Sequence, residues 1–600
     1  SYQGSVVGRQ GSQHRGAVPG TVYRARDGYL NIFISHTQPG AWDRFVEWMG
    51  RPEEWVNEPR YGMLPFRQER VAEIDAKVTA ALADRSIYAV FEELQEQKLP
   101  AAPVLTPSQA LADPQFRVRG VAQQDSDGLP ALRPPYRRNG TWPAPGRVPE
   151  VGRDTEAWLN GLGISSHALR HLVEGGTVRL GALGESVPLR EKPSRERPSS
   201  SAPALPLQGV RILDFSHMIA GPYVTLQLAW LGAEVIKVES RVRPDTFRIR
   251  DGNPNWEQSL PFASLNLGKR SITVNLKHPQ GPEVIRRLVP HCDAVVENFS
   301  KGVLENLGLG YEALSRHRPD LIWLSLPGMG SDGPRSNYVT WGPNIMAFTG
   351  FTYLWNHPDQ PHPVGSQVSY PDYLAGLFGA TFLLAALCHR RATGEGSRLE
   401  VSQAEAAAYA LGPAYQYALL TGQDLEPEGN GQPGHVPQGC YPCRGDDRWL
   451  AVVVPDDATW RRLAEVIAEP WALQPQWRTL LGRAQEAATL NHKLSEWTRN
   501  WERERLWHRL LAAGVPSAPV LDARDLMADP HLAARRFIVT VDHPVMGTLK
   551  MPGPPIRLTE TPPRPTPPPL LGEANQYVFQ ELLGMTPEEV ARLTAEGVIG

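Results

Sequence analysis

The residue with the clearest capacity for chemistry is Asp372, an aspartate directly in front of a long apolar segment. Beyond it, apolar residues recur at helical spacing as far as Leu387, and a basic turn follows before Gly394. A carboxylate at a helix start faces free backbone N–H groups at the positive end of the helix dipole. The sequence therefore predicts Asp372 as the N-cap of a buried helix, and the rest of the chain must decide whether its carboxylate is also a nucleophile.

Two other motifs that often carry chemistry are incomplete. Cys440 and Cys443 form a lone CxxC pair without a second pair or a histidine cluster, so no metal site is predicted. The first predicted strand is not followed by GxGxxG, and GxxxxGK[ST] occurs nowhere in the chain. The phosphate-cradling loops of dinucleotide-binding and P-loop proteins are therefore missing.

A ligand site is still expected after that first predicted strand, GVRILDFSH. Open α/β sheets bind ligands at the carboxyl ends of their strands. Residues 217–220 occupy that end, and Gly221-Pro222 opens a helix whose N-terminus can receive a phosphate.

The elements that position these residues alternate between strands and helices. GVRILDFSH, a helix and a strand ending near Glu239 are followed by further strand-like runs in SITVNLK, DAVVENFS and DLIWLSL, with helical segments between them. This alternation predicts a parallel sheet wound in βαβ units. From Tyr441 onward the alternation is less regular, which indicates a second, α+β domain.

Length and composition set the broad class. A chain of 600 residues needs more than one core, and a net charge of -3 gives no reason to expect nucleic acid as a partner. No apolar stretch is expected to approach the length of a membrane span, and the polar, Gly-rich start does not look like a signal peptide. Four cysteines favour a reducing compartment, so a cytoplasmic location without a membrane partner is predicted.

Part of the chain is repeated. LPAAPVLTPSQALADPQFRVRG at Leu99 matches VPSAPVLDARDLMADPHLAARR at Val515, and the similarity extends so that residues from about 15 to 180 match residues from about 430 to 600. We call these segments the first copy and the second copy. A Pro/Ser/Arg-rich linker separates the first copy from the rest. The predicted division is a partial unit, a linker and a complete unit: 1–184, 185–206 and 207–600.

Several ordered motifs resemble one family. They are GVRILDFSHMIAGPY, LAWLGAEVIKVE, LNLGKRSITVNLK, ENFSKGVLENLGLGYEAL and PDYLAGLFGATFLLAAL. This order and spacing resembles class III CoA-transferases, the CaiB/BaiF family, across residues 207–600, whereas the first copy resembles only the second half of the family. The resemblance implies an α/β fold with a Rossmann-like large domain at 207–400, a small α+β domain at about 425–540, and a C-terminal return to the large domain.

The resemblance also implies functional residues. Asp372 falls on the family's catalytic aspartate, and Lys277 is the natural partner of a CoA phosphate. Three loops are implied to contact CoA, and their residues are His217, Met218, Ile219, Ala220, Val274, Asn275, Lys277, Asn298, Phe299 and Ser300. Gly429, Gly431 and Gln432 lie roughly where formyl-CoA transferases have a mobile glycine loop, although a Gly-rich surface turn explains them equally well.

The implied activity moves CoA from an acyl-CoA thioester to a carboxylic acid. Held at contact distance, the Asp372 carboxylate attacks the thioester, a covalent aspartyl intermediate forms, and an acceptor acid takes up CoA by the reverse route. Backbone N–H groups at the helix start are expected to keep Asp372 ionised. CoA esters and acids are the expected small-molecule partners, and no permanently bound cofactor is expected.

Departures from the family pattern leave alternatives open. Ile219 replaces a glutamine of formyl-CoA transferases, which argues against a formyl/oxalate pair. The family's acyl-CoA racemases pair the aspartate with a histidine, but Trp341 stands near that position and an indole cannot exchange a proton. A catalytically weak structural partner of an active chain is a third reading. Family members form interlocked dimers, so a homodimer or an intramolecular pseudo-dimer is expected.

Overall fold

The structure is a computed structural model that describes residue 8 and residues 11–125, 128–144, 150–180, 205–249, 255–360, 362–563 and 565–600. Most of the predicted linker, from 185 to 204, lies outside the described residues. The fold class is α/β, as predicted.

The first copy contains a small antiparallel sheet covered by helices. Strands β1, β2 and β3 pair in that order, and a buried face of this sheet packs against helix α4. Its strands are β1 Ala17–Ala25, β2 Gly28–Ser35, β3 Ala101–Pro103, β4 Ala122–Gln124, β5 Pro130–Leu132 and β6 Arg137–Arg138. Its helices are α1 Ala41–Trp48, α2 Glu53–Asn57, α3 Leu64–Gln68, α4 Val71–Leu82, α5 Ile87–Glu96, α6 Pro107–Ala112, α7 Pro114–Arg119, α8 Thr155–Gly161 and α9 Ser166–Glu174.

The large sheet has six parallel strands and one antiparallel edge strand. The parallel strands are β7 Arg211–Asp214, β8 Glu234–Glu239, β9 Arg270–Thr273, β10 Ala294–Glu297, β11 Ile322–Ser325 and β12 Ser397–Glu400. Their spatial order, β12-β11-β10-β7-β8-β9, is that of a Rossmann sheet, and β6 of the first copy adds the antiparallel edge beside β12. The chain reverses direction across the sheet between β7 and β10. Ligands are therefore expected at the carboxyl ends of these two strands.

Helices cover both faces of this sheet. They are α10 Ala220–Trp230, α11 Leu260–Leu265, α12 Gly281–Leu288, α13 Val303–Asn306, α14 Tyr311–Leu314, α15 Gly342–Phe348, α16 Phe351–Leu354, α17 Tyr370–Thr393, α18 Gln403–Ala410 and α19 Gly412–Thr421. The prediction that Asp372 is an N-cap is wrong, because α17 begins two residues earlier and Asp372 is its third residue. Pro371 fits the first turn, where a missing N–H breaks no helical hydrogen bond. The predicted end is confirmed, with Arg390 and Arg391 in the last turn and Gly394 left-handed after it.

The expectation that no apolar stretch approaches the length of a membrane span is wrong for helix α17. Its 24 residues are long and apolar enough to span a membrane by length and composition alone, so an apolar stretch of that size does exist. The helix packs against α10, and a Cβ added at Gly379 would lie 2.9 Å from Val224 and 3.2 Å from Leu324 of the sheet. Close packing between a helix and a sheet accounts for its apolar face.

The second copy forms a small domain and then returns to the large sheet. Strands β13 Gln438–Pro442, β14 Trp449–Val453 and β15 Ser517–Val520 pair in that order, as β1, β2 and β3 do. Hairpin β16 Ile538–His543 and β17 Gly547–Pro552 follows. The helices are α20 Asp457–Ile467, α21 Leu480–Gln485, α22 Ala487–Thr498, α23 Arg503–Ala512, α24 Ala523–Ala528, α25 Pro530–Ala534 and α26 Pro587–Ala595, with a π-helix at Tyr577–Leu582. At the C-terminus, Ile599 pairs with Val274, so this end lies beside β9.

The first copy shares a core with the large domain. Phe116 of α7 meets Phe348 of α15 edge to face, with ring centroids 5.4 Å apart, and both side chains are buried. Arg119 is 1% exposed and pairs with Glu400 at 2.8 Å and with Glu405. Removing one partner from a buried ion pair is strongly destabilising. The first copy is therefore an integral layer of this fold and covers one end of α17.

Candidate active site

A cavity of about 380 Å³ lies at the start of α17. We call it the Asp372 cavity. The large domain contributes Met218, Ile219, Phe247, Pro261, Ser264, Leu265, Trp341, Gly342, Pro343, Gln367, Val368, Ser369, Asp372 and Tyr373. The first copy contributes His14, Arg15, Gly16, Phe33, Ser35, His36 and Thr37. The large domain thus provides mainly apolar walls, and the first copy provides most of the polar ones.

The Asp372 side chain lines this cavity, where a bound ligand reaches its carboxylate. Its Oδ2 atom is buried and has no hydrogen-bond partner among the described residues, while its backbone N–H donates to the Ser369 carbonyl at 3.1 Å. Gly342 is a neighbour of this carboxylate in space. A Cβ added at Gly342 would lie only 2.4 Å from the Oδ2 atom of Asp372. A buried polar atom without a partner is uncommon and marks a site where a ligand can supply the missing contact.

Burial, not the helix start, dominates the titration of Asp372. Burial raises the pKa of Asp372 to about 7, against a smaller lowering by a backbone hydrogen bond. The expectation that backbone N–H groups at the helix start keep this carboxylate ionised is therefore wrong, because burial outweighs the backbone hydrogen bond. A carboxyl with a strongly perturbed pKa in a cavity is a candidate for chemistry.

This pKa gives a pH-dependent prediction. Because only the carboxylate form is a nucleophile, the rate of acylation of Asp372 should rise about tenfold per pH unit below pH 7 and level off above it. Single-turnover release of free CoA from an acyl-CoA, followed by a thiol reagent after quenching, measures this rate directly. A rate that does not change between about pH 5.5 and pH 8 would contradict the assignment.

The polar wall from the first copy was not predicted from the sequence. The glycine loop was placed at Gly429, but Gly429 donates to the Asn356 carbonyl and packs beside His357, and it does not line the Asp372 cavity. In the equivalent loop of the first copy, residues 11–16, His14, Arg15 and Gly16 line the cavity instead. The repeat itself was the signal that could have found it, because VP at Val18 aligns with VP at Val436.

A larger cavity of about 680 Å³ lies at the carboxyl ends of the central strands. We call it the outer cavity. Of the residues implied to contact CoA, it contains His217, Val274, Asn275, Lys277 and Phe299, while Met218 and Ile219 line the Asp372 cavity. Thr37 of the first copy lines both cavities, so they adjoin at that residue.

Three of the implied CoA residues line neither cavity. Ala220 is fully buried at the first position of α10, and Ser300 is exposed beyond the outer cavity. Asn298 acts on the loop instead, because its side chain accepts from the His217 N–H at 2.9 Å and donates to the His217 carbonyl at 2.8 Å. Asn298 thus fixes the backbone at the point where the two cavities approach each other.

A buried ion pair also holds this loop and was missed by the sequence reasoning. Asp245 accepts from the Met218 N–H at 3.2 Å and pairs with Lys237 at 2.9 Å, and both charged side chains are fully buried. Burial would raise the pKa of Asp245, but the neighbouring Lys237 outweighs it and leaves that pKa below its usual value. Met218 has a left-handed backbone with φ of 67°, a conformation unusual for a non-glycine residue. The ion pair supports this loop geometry.

Comparisons with known proteins identify the family. The family model described as CoA-transferase family III matches residues 1–155 and 207–575. The chain belongs to CoA-transferase family III. It is an enzyme of this class, and the match covers residues on both sides of the predicted linker.

Similar proteins agree with this assignment to CoA-transferase family III. A probable CoA-transferase of Mycobacterium tuberculosis is 29% identical over 96% of this chain and 70% of its own length. Succinyl-CoA–D-citramalate CoA-transferase of Chloroflexus aurantiacus is 35% identical over 67% of this chain and all of its own. The crystal structure of a CaiB/BaiF family protein from Brucella suis matches with a TM-score of 0.58 and 28% identity, covering 63% of this chain and all of that one.

The outer cavity yields a second prediction. Lys277 is exposed and lines the same cavity as Arg243, whose guanidinium lies 5.7 Å from the Phe299 ring centroid. If Lys277 binds a CoA phosphate, Lys277→Ala should raise the KM for acyl-CoA about tenfold and leave kcat within about twofold. Initial rates against acyl-CoA concentration measure this. Lys493→Ala, in the small domain outside both cavities, is the matched control, and an equal KM in both variants would contradict the role.

Proposed function

We propose that this protein transfers CoA from an acyl-CoA thioester to a carboxylic acid through a covalent intermediate on Asp372. The observation that carries the proposal is the buried Asp372 oxygen, which has no hydrogen-bond partner in the part of the chain that the structure describes and lies in a cavity that adjoins the outer cavity at Thr37. CoA acts as a substrate, and the reaction needs no resident cofactor. Named relatives, such as the succinyl-CoA–D-citramalate enzyme, couple a CoA thioester to a carboxylic acid, which supports this reaction class.

The reaction begins with the Asp372 carboxylate. Its oxygen attacks the thioester carbonyl carbon, the C–S bond breaks, and CoA leaves as a thiolate while Asp372 and the acyl group form a mixed anhydride. The thiolate then attacks the Asp372 carbonyl, which releases the donor acid and leaves an aspartyl-CoA thioester. An acceptor carboxylate attacks this thioester, CoA leaves again, and its thiolate takes the acceptor acyl group from the second anhydride. Asp372 is regenerated as a carboxylate.

The two cavities fit this sequence of steps. The outer cavity, with Lys277 and Arg243 at its wall, suits the nucleotide end of CoA, and Thr37 marks the passage toward the reacting thioester. The apolar walls of the Asp372 cavity, including Trp341, suit an acyl group and limit water near the anhydride. Holding the thioester beside the carboxylate makes the attack effectively intramolecular.

A transfer assay tests the proposal. The protein is incubated with a panel of acyl-CoA donors and ¹³C-labelled carboxylic acids, and new labelled acyl-CoA is measured by mass spectrometry. Formation of labelled acyl-CoA without added nucleotide supports CoA transfer. Hydrolysis of the donor without formation of any labelled thioester, across the whole panel, would contradict it.

The racemase alternative gains one observation from the fold. Trp341 lines the cavity near the position expected for a histidine, but His14 and His36 of the first copy line the same cavity. The His14 Nδ1 accepts from the Gly16 N–H at 3.0 Å, which leaves Nε2 as the protonated nitrogen of a neutral ring. Exchange of the α-proton of a 2-methylacyl-CoA in deuterated water, without an acceptor acid, would favour racemisation over transfer.

We also propose that the first copy takes the place that a partner subunit has in an interlocked dimer. One site would then be complete within one chain. To test this, Asp372→Ala is co-expressed with Ser35→Trp, which is expected to fill the cavity from the first copy. If each site forms within one chain, the mixed preparation should remain inactive. Measurable recovery of transfer would show that the two parts come from different chains.

A further inference from the structure

We propose that Arg15 of the first copy binds a second carboxylate on the acid substrate, so that the preferred acids are dicarboxylic acids with an apolar body. This inference rests on the proposed function, since it takes the Asp372 cavity as the place where the acid reacts. It concerns the end of that acid that does not react. Three observations support it: the charged side chains of the cavity, the hydrogen bonds that hold the backbone around Arg15, and the comparison with the second copy.

The Asp372 cavity is lined by few charged side chains. Among the described residues that line it, Asp372 is the one carboxylate and Arg15 is the one arginine or lysine, beside the two histidines His14 and His36. Within the described residues, no carboxylate forms an ion pair with Arg15. The pKa of Asp372 is determined by burial and a backbone hydrogen bond, without a contribution from a positive charge. Arg15 thus lines the same cavity as Asp372 without being held by a carboxylate of the described residues, and its guanidinium is available to the other end of a substrate that reacts at Asp372.

The backbone that carries Arg15 is held at several points. The Gly16 N–H donates to His14 Nδ1 at 3.0 Å, and the Gly16 carbonyl lies 3.3 Å from His36 Nδ1. Gln68 donates to the Arg15 carbonyl at 2.7 Å. From the large domain, Gln367 donates to the Gly11 carbonyl at 2.9 Å. The Arg15 side chain is exposed, but the backbone that carries it is held in place. This lowers the conformational entropy that is lost when Arg15 binds an anion.

The second copy provides an internal comparison. Aligning VP at Val18 with VP at Val436 sets Arg15 opposite Pro433 and Gly16 opposite Gly434. Pro433 is exposed and lines neither cavity. The arginine is thus present in the first copy, which lines the Asp372 cavity, and is replaced by proline in the second copy. Arginine is the side chain best suited to bind a carboxylate in a bidentate way.

The remaining walls define the body of the acid. Phe33, Trp341 and Tyr373 line the cavity together with Ile219 and Leu265. These side chains favour a hydrocarbon or aromatic body between the two carboxylates. A small monocarboxylic acid would leave both this surface and Arg15 unused.

The test compares two acids that differ by one carboxylate, phenylsuccinate and 3-phenylpropanoate. Transfer from one acyl-CoA donor to each acid is measured for the wild type, for Arg15→Gln and for Arg117→Gln. Arg117 is an exposed arginine of the first copy outside both cavities and serves as the charge control. We expect the wild type to prefer the diacid, and Arg15→Gln to lower kcat/KM for the diacid about 10- to 100-fold with the monoacid within about twofold.

Three results would overturn the inference. They are a wild type without preference for the diacid, an Arg15→Gln variant that changes both acids equally, and an Arg15→Gln variant that raises only the KM for acyl-CoA. Calorimetric titration of both acids into the protein without CoA separates this inference from the proposed function. If no transfer occurs at all, tighter binding of phenylsuccinate that is lost in Arg15→Gln still supports it, and equal or undetectable binding of both acids rejects it.

Discussion

Asp372→Asn should lower the rate of CoA transfer on the order of 10⁴-fold, the largest effect of any single substitution in this protein. The amide keeps the size and shape of the side chain but cannot attack a thioester. The Asp372 oxygen is buried at the cavity wall, so little else in the cavity should change. Steady-state rates with saturating acyl-CoA and acid measure the loss.

A stability measurement excludes unfolding as the cause of that loss. The pKa of Asp372 is raised from 3.8 to about 7, so the folded protein holds a proton that the unfolded chain releases in between. Its contribution to stability is present below the unfolded pKa and is lost as pH rises toward the folded one. At about pH 8 the wild type must bury a charge that the asparagine variant lacks, so Asp372→Asn should unfold at a higher temperature than the wild type.

A matched control separates charge from position. Glu283 is also the third residue of its helix and also follows a proline, but it is exposed and pairs with Arg286. Glu283→Gln should leave transfer within about twofold of the wild type. An Asp372→Asn variant that keeps more than about a tenth of wild-type activity would contradict the nucleophile assignment.

Gly342→Ala should lower transfer about 100-fold, with a loss of fold stability of about 1–3 kcal/mol from overpacking. A Cβ at this position would lie 2.4 Å from the Asp372 oxygen and 2.5 Å from the Ser369 side chain, so the carboxylate must move. Effective attack needs the reacting atoms near contact, and a shift of about 1 Å is enough to lower the rate about 100-fold. The kcat of the variant, with its circular-dichroism melting curve, tests this.

Gly412→Ala is the matched control for that substitution. Gly412 begins helix α19, where an added Cβ would meet no atom within 4 Å. This control should transfer CoA like the wild type. Equal activity of Gly342→Ala and Gly412→Ala would show that the Asp372 carboxylate can react from another position, and would reject the geometry described above.

Much of the large domain could be predicted from the sequence. The alternation of strands and helices after Gly209 indicated the parallel sheet, because buried βαβ units have long apolar strands between amphipathic helices. The loops after β7 and β10 follow from that topology, since the sheet reverses its strand order there. Helix α17 was also evident, although its first residue was placed too late because Asp372 resembles a cap.

The rest of the site could not be predicted, because it depends on contacts between distant segments. Arg15 and His36 precede Asp372 by more than 300 residues, and only tertiary packing brings them to one cavity. The raised pKa of Asp372 has the same origin. A helix start lowers the pKa of a carboxyl, but burial of its oxygen opposes this, and burial is not visible in a local pattern.

The most direct test of the central claim is to trap the intermediate on Asp372. The protein is mixed with a reactive acyl-CoA in the presence of hydroxylamine, digested, and searched by mass spectrometry for an aspartyl hydroxamate, with Asp372→Asn treated in parallel. The account predicts the hydroxamate on the peptide that contains Asp372 in the wild type, and an unmodified peptide in the variant. An unmodified Asp372 under conditions where CoA transfer is measured would contradict it.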